Sequence, residues 1–297
     1  MARRLVLLAA VALIVTACGE RTEPLGALTQ TYPVDVRGAG DRTTVLKHAP
    51  KRIVALDTGE AETLLALHVG HALVGVPAGT AGAAATQVAR PSGAVDVAGV
   101  LRLKPDLVVA TSSNDPFDLD TIQRETGAAI YVAPDSSIRD VEDATIDLGF
   151  LAGRPVDARR LVAQMRSQVD AVERKLSGAA SVSVFIDTGL FITVSTRSLL
   201  GDLVHLAHGR SVAGAHPGGD PVPPRRIARL NPDVYLTTSD SGVTLRALRR
   251  DPGARKIRAV RAGHFAVVPS DLVGEPGPRV GHGLAIVARA LHPDAFR

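Results

Sequence analysis

The chain has 297 residues, a formal charge of +4, 45% hydrophobic and 3% aromatic residues, no tryptophan and a single cysteine. One cysteine excludes an internal disulfide, a small charge excess without basic blocks gives nucleic-acid binding no support, and the scarcity of aromatics argues against a ligand held by ring stacking. A chain of this length and apolar content buries one large core or two smaller ones, and two lobes are expected.

Arg3 and Arg4 precede an apolar run, Leu5 to Val15, that is long enough for a signal peptide and short for a membrane span. Val15-Thr16-Ala17-Cys18-Gly19 then resembles a bacterial lipobox. Residues 1–17 are therefore expected to be removed, and Cys18 to carry a lipid that anchors the protein to the cell membrane on its outer side. Two arginines leave with the leader, which lowers the formal charge from +4 to +2. Residues 18–45 lack sustained periodicity and read as anchor and flexible tether, with Tyr32–Val36 a candidate edge strand.

From Arg52 short β-branched runs alternate with helix-like stretches. Ile53–Leu56, Leu73–Val76, Leu107–Ala110 and Ala129–Val132 read as strands, with a helix at Glu60–Leu67. A second series places strands at Val182–Ile186, Phe191–Val194, Val234–Thr237 and Phe265–Val268, and helices at Ser198–Leu206 and Thr244–Arg249. Strands alternating with helices imply parallel sheets. The fold class is thus α/β, with two lobes, 46–154 and 179–297, each a parallel sheet flanked by helices. Between them Leu161, Val162, Met165, Val169, Val172 and Leu176 recur at helical spacing. Pro155 and Asp157 suit a first turn and Gly178 a stop, so 155–178 is predicted as one rigid connecting helix, roughly 30 Å long. Each series also holds a Leu-x-Pro-Asp segment, Leu103–Asp106 and Leu230–Asp233, in which proline ends a helix and the next apolar run enters the sheet.

Ligands of open parallel sheets sit beyond the carboxyl ends of the strands. That rule nominates Asp57, Thr58, Gly59, Ser112, Ser113 and Asn114 in the first lobe, and Asp187, Thr188, Thr238 and Ser239 in the second. Arg279 follows the stiff turn Pro276-Gly277-Pro278, which would present its side chain beside the second-lobe cleft. His68/His71 and His205/His208 are three apart on helix-like stretches without an evident carboxylate partner, and read as structural or surface residues. No Gly-x-Ser-x-Gly, Walker Gly-Lys-Ser/Thr, Gly-x-Gly-x-x-Gly or His-Glu-x-x-His motif occurs, so no enzymatic role is expected.

Three segments, Lys51-Arg52-Ile53-Val54-Ala55-Leu56-Asp57-Thr58-Gly59-Glu60, the Leu-x-Pro-Asp pair, and Ala262-Gly263-His264-Phe265-Ala266-Val267 leading to Pro276-Gly277-Pro278-Arg279, carry a family resemblance. With the lipobox and connecting helix they resemble the helical-backbone (class III) periplasmic solute-binding lipoproteins that serve ABC importers of ferric siderophores, heme and cobalamin. The resemblance runs from Lys51 to Pro293. It implies a monomer that captures a metal chelate between its lobes, closes only modestly, and delivers it to an ABC permease.

Within that group a ferric siderophore is the expected ligand. Arg197 stands where siderophore-binding relatives often carry Gly-Ser-Arg, and its fork of donors suits the negative oxygens of a catecholate or hydroxamate. Heme is the alternative, with His216, His264 and His282 near second-lobe loops, and cobalamin follows because stacking surface is scarce. The zinc and manganese branch of the superfamily typically places a histidine after the first strand; Asp57 stands there, so no bare metal and no intrinsic cofactor is expected. Relatives dock on the permease through a glutamate on each lobe, and register puts Ala98 and Arg225 at those positions. That departure keeps open a lipid-anchored accessory protein with the binder fold and no transport role.

Overall fold

The computed structural model describes residues 30–89, 94–214 and 218–297; the leader, Cys18 and His216 lie outside them. The described chain begins with an antiparallel hairpin, β1 (Val34–Arg37) and β2 (Thr43–Leu46). The tether expected over 18–45 thus gives way to a hairpin from Val34 onward, whose first strand overlaps the candidate edge strand Tyr32–Val36. Val34, Val36, Thr44 and Leu46 point inward while Asp35, Arg37, Thr43 and Val45 point out, and Thr44 Oγ1 donates to the Ile130 carbonyl at 2.7 Å. This two-residue period gives the hairpin one apolar face to bury against the first lobe.

The first lobe runs β3 (Ile53–Ala55), α1 (Thr58–Ala66), β4 (Leu73–Pro77), β5 (Thr86–Ala89), α2 (Val97–Leu103), β6 (Leu107–Thr111), α3 (Pro116–Thr126), β7 (Ala129–Ala133) and α4 (Ile138–Leu151). Its sheet is parallel throughout, in the order β5-β4-β3-β6-β7. Ile53, Ala55, Leu107, Val109 and Tyr131 face one core, and Val54, Val108, Ala110 and Ile130 face the other. Covering both faces is why these strands read as unbroken apolar runs.

A single helix follows, α5 (Pro155–Leu176), about 33 Å long at 1.5 Å per residue. Its first turn lays Ala158 into the first-lobe core, and Val162, Met165, Val172 and Leu176 enter the second. Ile138 and Val141 of α4 also belong to the second core. The lobes therefore share packed side chains, which explains why the linker acts as a rod.

The second lobe comprises β8 (Val182–Asp187), α6 (Leu199–Leu206), β9 (Gly209–Ser211), α7 (Pro224–Leu230), β10 (Val234–Thr238), α8 (Leu245–Arg250), α9 (Arg258–Ala262), β11 (Phe265–Val268), α10 (Ser270–Val273) and α11 (Val280–Leu291). The parallel sheet has the order β11-β10-β8-β9. The strand expected at Phe191–Val194 does not form. Leu190 and Phe191 adopt φ of 54° and 63°, and Thr188 N–H bonds the Ile192 carbonyl at 2.9 Å. The chain therefore turns back directly after β8, leaving one isolated bridge, Ile192 to Pro221, while β9 takes the sheet edge. Two α/β lobes of parallel sheet joined by one helix are the architecture expected from the sequence.

The Leu-x-Pro-Asp repeats do the same work in each lobe. Lys104 and Asn231 end α2 and α7 in the left-handed conformation. Asp106 then accepts from the Lys51 and Arg52 amides at 2.7 and 3.0 Å, ahead of β3. Asp233 accepts from the Ser183 amide at 2.9 Å, at the start of β8, and pairs with Arg258. Each carboxylate thus ties its own strand to a parallel neighbour.

Candidate functional site

The carboxyl ends of the strands from both sheets converge on one cleft of about 810 Å³. Asp57 stands two residues past β3, Thr111 at the end of β6, Asp135 two residues past β7, Thr188 directly after β8, Thr238 at the end of β10 and Ser270 two residues past β11, and all six line it. Parallel strands leave their carboxyl-end loops on one side, so a polar wall is a consequence of topology. Val194, Leu199, Leu200, Val273 and Pro276 supply the apolar part.

The acidic residues dominate its electrostatics. Among the described residues Asp57, Asp135, Asp240, Asp271 and Glu275 line the cleft, against one cation, Arg197. Asp57 accepts from Thr111 Oγ1 at 3.2 Å and Ser113 Oγ at 3.4 Å, yet burial outweighs these bonds and raises its pKa. Burial likewise raises Glu275, reinforced by the neighbouring carboxylates of Asp57 and Glu62. Ser112 Oγ donates to Asp135 Oδ2 at 2.6 Å, which fixes that carboxylate. Arg197 is exposed, and its guanidinium has no hydrogen-bond or ion-pair partner among the described residues. It is free to donate to a guest.

Of the residues nominated from sequence, Asp57, Ser112, Ser113, Thr188, Arg197 and Thr238 are brought together here. The others lie outside the lining. Thr58 begins α1. Gly59 is buried against the second lobe, where an added Cβ would collide with the Pro276 carbonyl. Asn114 turns inward to accept from the Thr111 amide at 2.9 Å. Asp187 is 1% exposed and accepts from Tyr235 Oη and the Gly189 amide. Ser239 Oγ is tied to Ser270. Arg279 is committed to Glu62 at 2.8 Å and Asp271 at 3.0 Å. In all of these but Thr58, a local hydrogen bond, ion pair or backbone approach takes the group that solvent or ligand would otherwise have met.

Sequence reasoning missed Asp135, Asp240, Asp271 and Glu275. Asp135 was within reach of the strand-end rule, because it lies three residues past the expected strand Ala129–Val132, in the loop that the rule points to. His264 sits at the amino end of β11 with Nδ1 at 3.2 Å from the Asp233 carbonyl, and His282 lies on the exposed side of α11. Among the described residues no histidine, tyrosine or other aromatic lines the cleft.

Residues 53–272 match the family described as Periplasmic binding protein. The chain belongs to that family. Its relatives include the ABC transporter substrate-binding lipoprotein YvrC of Bacillus subtilis, 28% identical over 91% of this chain and 88% of that one. The cobalamin-binding protein of Halobacterium salinarum is 27% identical over 88% and 75%. Among solved structures, the periplasmic vitamin B12-binding protein BtuF of Vibrio cholerae is 19% identical with a TM-score of 0.71, covering 84% of this chain and 98% of that one. The periplasmic heme-binding protein RhuT of Roseiflexus sp. RS-1 is 20% identical with a TM-score of 0.73, covering 82% and 99%. These structures share the two-lobed periplasmic-binding-protein fold, and the resemblance read from sequence to a helix-joined solute-binding protein holds.

Proposed function

We propose that this chain is the extracytoplasmic substrate-binding component of an ABC importer, anchored through lipid on Cys18, and that its cargo is a metal chelate of neutral or positive charge, a ferric hydroxamate siderophore. One observation carries the choice of charge: among the described residues five carboxylates line the cleft, one of them paired with Arg279 at the rim, against a single lining arginine. Three hydroxamates neutralise ferric iron, whereas three catecholates leave a trianion that would meet like charge across the cleft, which is costly at an interface. Arg197 donates to the hydroxamate oxygens, and Asp57, Asp135 and Glu275 receive amide or ammonium groups at the ligand's periphery. The volume fits a guest of that size, since pockets for such ligands run roughly 300–1,000 Å³. Heme is disfavoured by its anionic propionates and by the lack of an axial donor among the described lining residues.

Cobalamin is the second reading, supported by likeness to the Halobacterium protein over 88% of this chain; its peripheral amides suit carboxylate and hydroxyl acceptors. Thermal melting of residues 19–297 with a ferric tris-hydroxamate, a ferric tris-catecholate, heme and cyanocobalamin separates the readings. A shift with the hydroxamate alone supports the first, and a shift with cyanocobalamin alone replaces it with the second.

A further inference from the structure

The outer face of the second lobe is strongly basic, and the cleft does not use it. Between Pro224 and Arg261 the sequence holds ten arginines and lysines against three aspartates. Two of those aspartates are already engaged and the third faces the cleft: Asp233 ties β10 to β8 and pairs with Arg258, Asp251 caps the turn by accepting from the Gly253 and Ala254 amides, and Asp240 lines the cleft. The helices that carry the bases form one surface. Ile227 of α7, Leu248 of α8, and Ala259 and Val260 of α9 bury into a single apolar cluster beneath them. The opposite sides of these helices expose Arg225, Arg226, Arg229, Arg246, Arg250 and Arg261, none of which has an ion pair among the described residues. The first lobe carries the opposite sign, with fourteen aspartates and glutamates against nine lysines and arginines over residues 46–154.

We infer that this basic face rests on anionic phospholipid headgroups of the membrane surface and orients the domain there. Two features favour headgroups over a protein partner. Protein interfaces combine arginine with buried aromatic or large apolar anchors, and among the described residues of α7, α8 and α9 the only exposed large apolar residue is Leu230. Clusters of four to eight Lys or Arg on one helical surface are the pattern that binds anionic lipid, and the six unpaired arginines of this face fall within it. A lipid on Cys18 would hold the face close to the bilayer, so attraction that the free domain already shows at low salt is strengthened. The acidic first lobe is repelled by the same surface, which fixes which lobe lies down.

Co-sedimentation tests this with residues 19–297, which lack the leader and the lipidated cysteine and so have no apolar segment to insert. The vesicles are phosphatidylcholine alone, or phosphatidylcholine mixed with phosphatidylglycerol. The expected result is binding to the mixed vesicles only, lost in 1 M salt, where the screening length falls to about 3 Å. The triple variant Arg225→Glu, Arg229→Glu, Arg250→Glu should lower partitioning by more than about tenfold, with an unchanged melting temperature showing that it folds, and Arg124→Glu on the other lobe should leave partitioning unchanged. Wild-type protein that ignores mixed vesicles at low salt overturns the inference, as does equal binding by the triple variant. If the wild type instead binds only an acidic protein surface, such as immobilised permease, a protein partner replaces the membrane.

Discussion

Arg279 joins the two lobes: Nε donates to Glu62 Oε2 on α1 at 2.8 Å while Nη1 donates to Asp271 Oδ2 on α10 at 3.0 Å. It stands at the rim of the cleft rather than in its lining, and it neutralises part of an acidic surround that includes Glu275. The seam is supported below by Gly59 against Gly277 and by the Ile138 amide donating to Asp202 at 2.9 Å.

Removing that bridge should loosen the seam without unfolding either lobe. Arg279→Ala is expected to cost on the order of 1 kcal/mol, because the groups are partly exposed and screening limits each pair. Urea titrations of Arg279→Ala, Glu62→Gln and the double variant check this: coupling between the two sites should be present at low salt and shrink in 1 M salt.

Gly59→Ala tests the same seam sterically. Its Cβ has no room beside the Pro276 backbone, so α1 and the loop before α11 must separate. We expect about 1–3 kcal/mol of destabilisation, in the range of overpacked cores. Small-angle scattering should show a larger radius of gyration, whereas an unchanged radius would mean that the contact yields locally.

Glu60 sets a pH dependence. It is 3% exposed, its Oε2 has no hydrogen-bond partner among the described residues, and burial next to Asp57 drives its pKa well above the usual carboxylate range. The folded protein therefore keeps a proton that the unfolded chain releases near about pH 4.3. Stability falls as pH rises above that point, until Glu60 itself ionises in the folded state. Asp57 and Glu275 shift in the same direction and add to the slope. Glu60→Gln should flatten it, so that the variant's advantage in melting temperature is absent near about pH 4 and grows towards neutrality.

Within the cleft, Arg197→Ala should weaken hydroxamate binding by roughly tenfold or more, the loss of a charge-assisted hydrogen bond of about 1.5–3 kcal/mol. Asp57→Asn with Glu275→Gln should weaken a cationic hydroxamate more than a neutral one and reduce the salt dependence of its affinity. Calorimetric titrations at two ionic strengths read both effects.

The architecture was legible because its signals are periodic. Apolar runs such as Leu107–Ala110, the helical spacing of Val162, Met165 and Val172, and the paired Leu-x-Pro-Asp segments each report a local rule that the packing obeys. Phe191–Val194 was misread because its apolar content suits a strand, while the positive φ at Leu190 and Phe191 follows from a turn that composition does not reveal. The hairpin at 34–46 hid in a stretch rich in Gly and charge, although its two-residue alternation was visible. The cleft was located by strand ends, but not its sign. That required knowing that Asp187 turns inward to Tyr235, that Arg279 is spent on Glu62 and Asp271, and that Asp135 and Glu275 turn toward the ligand space.

The central claim is that cleft charge selects the cargo, and paired thermal melts of residues 19–297 with a ferric tris-hydroxamate and a ferric tris-catecholate test it most directly. Ligand at a hundredfold its Kd adds about 2.7 kcal/mol, a rise of several degrees at roughly 2–4 °C per kcal/mol. The account predicts that rise with the hydroxamate and none with the catecholate; a larger rise with the catecholate would contradict it.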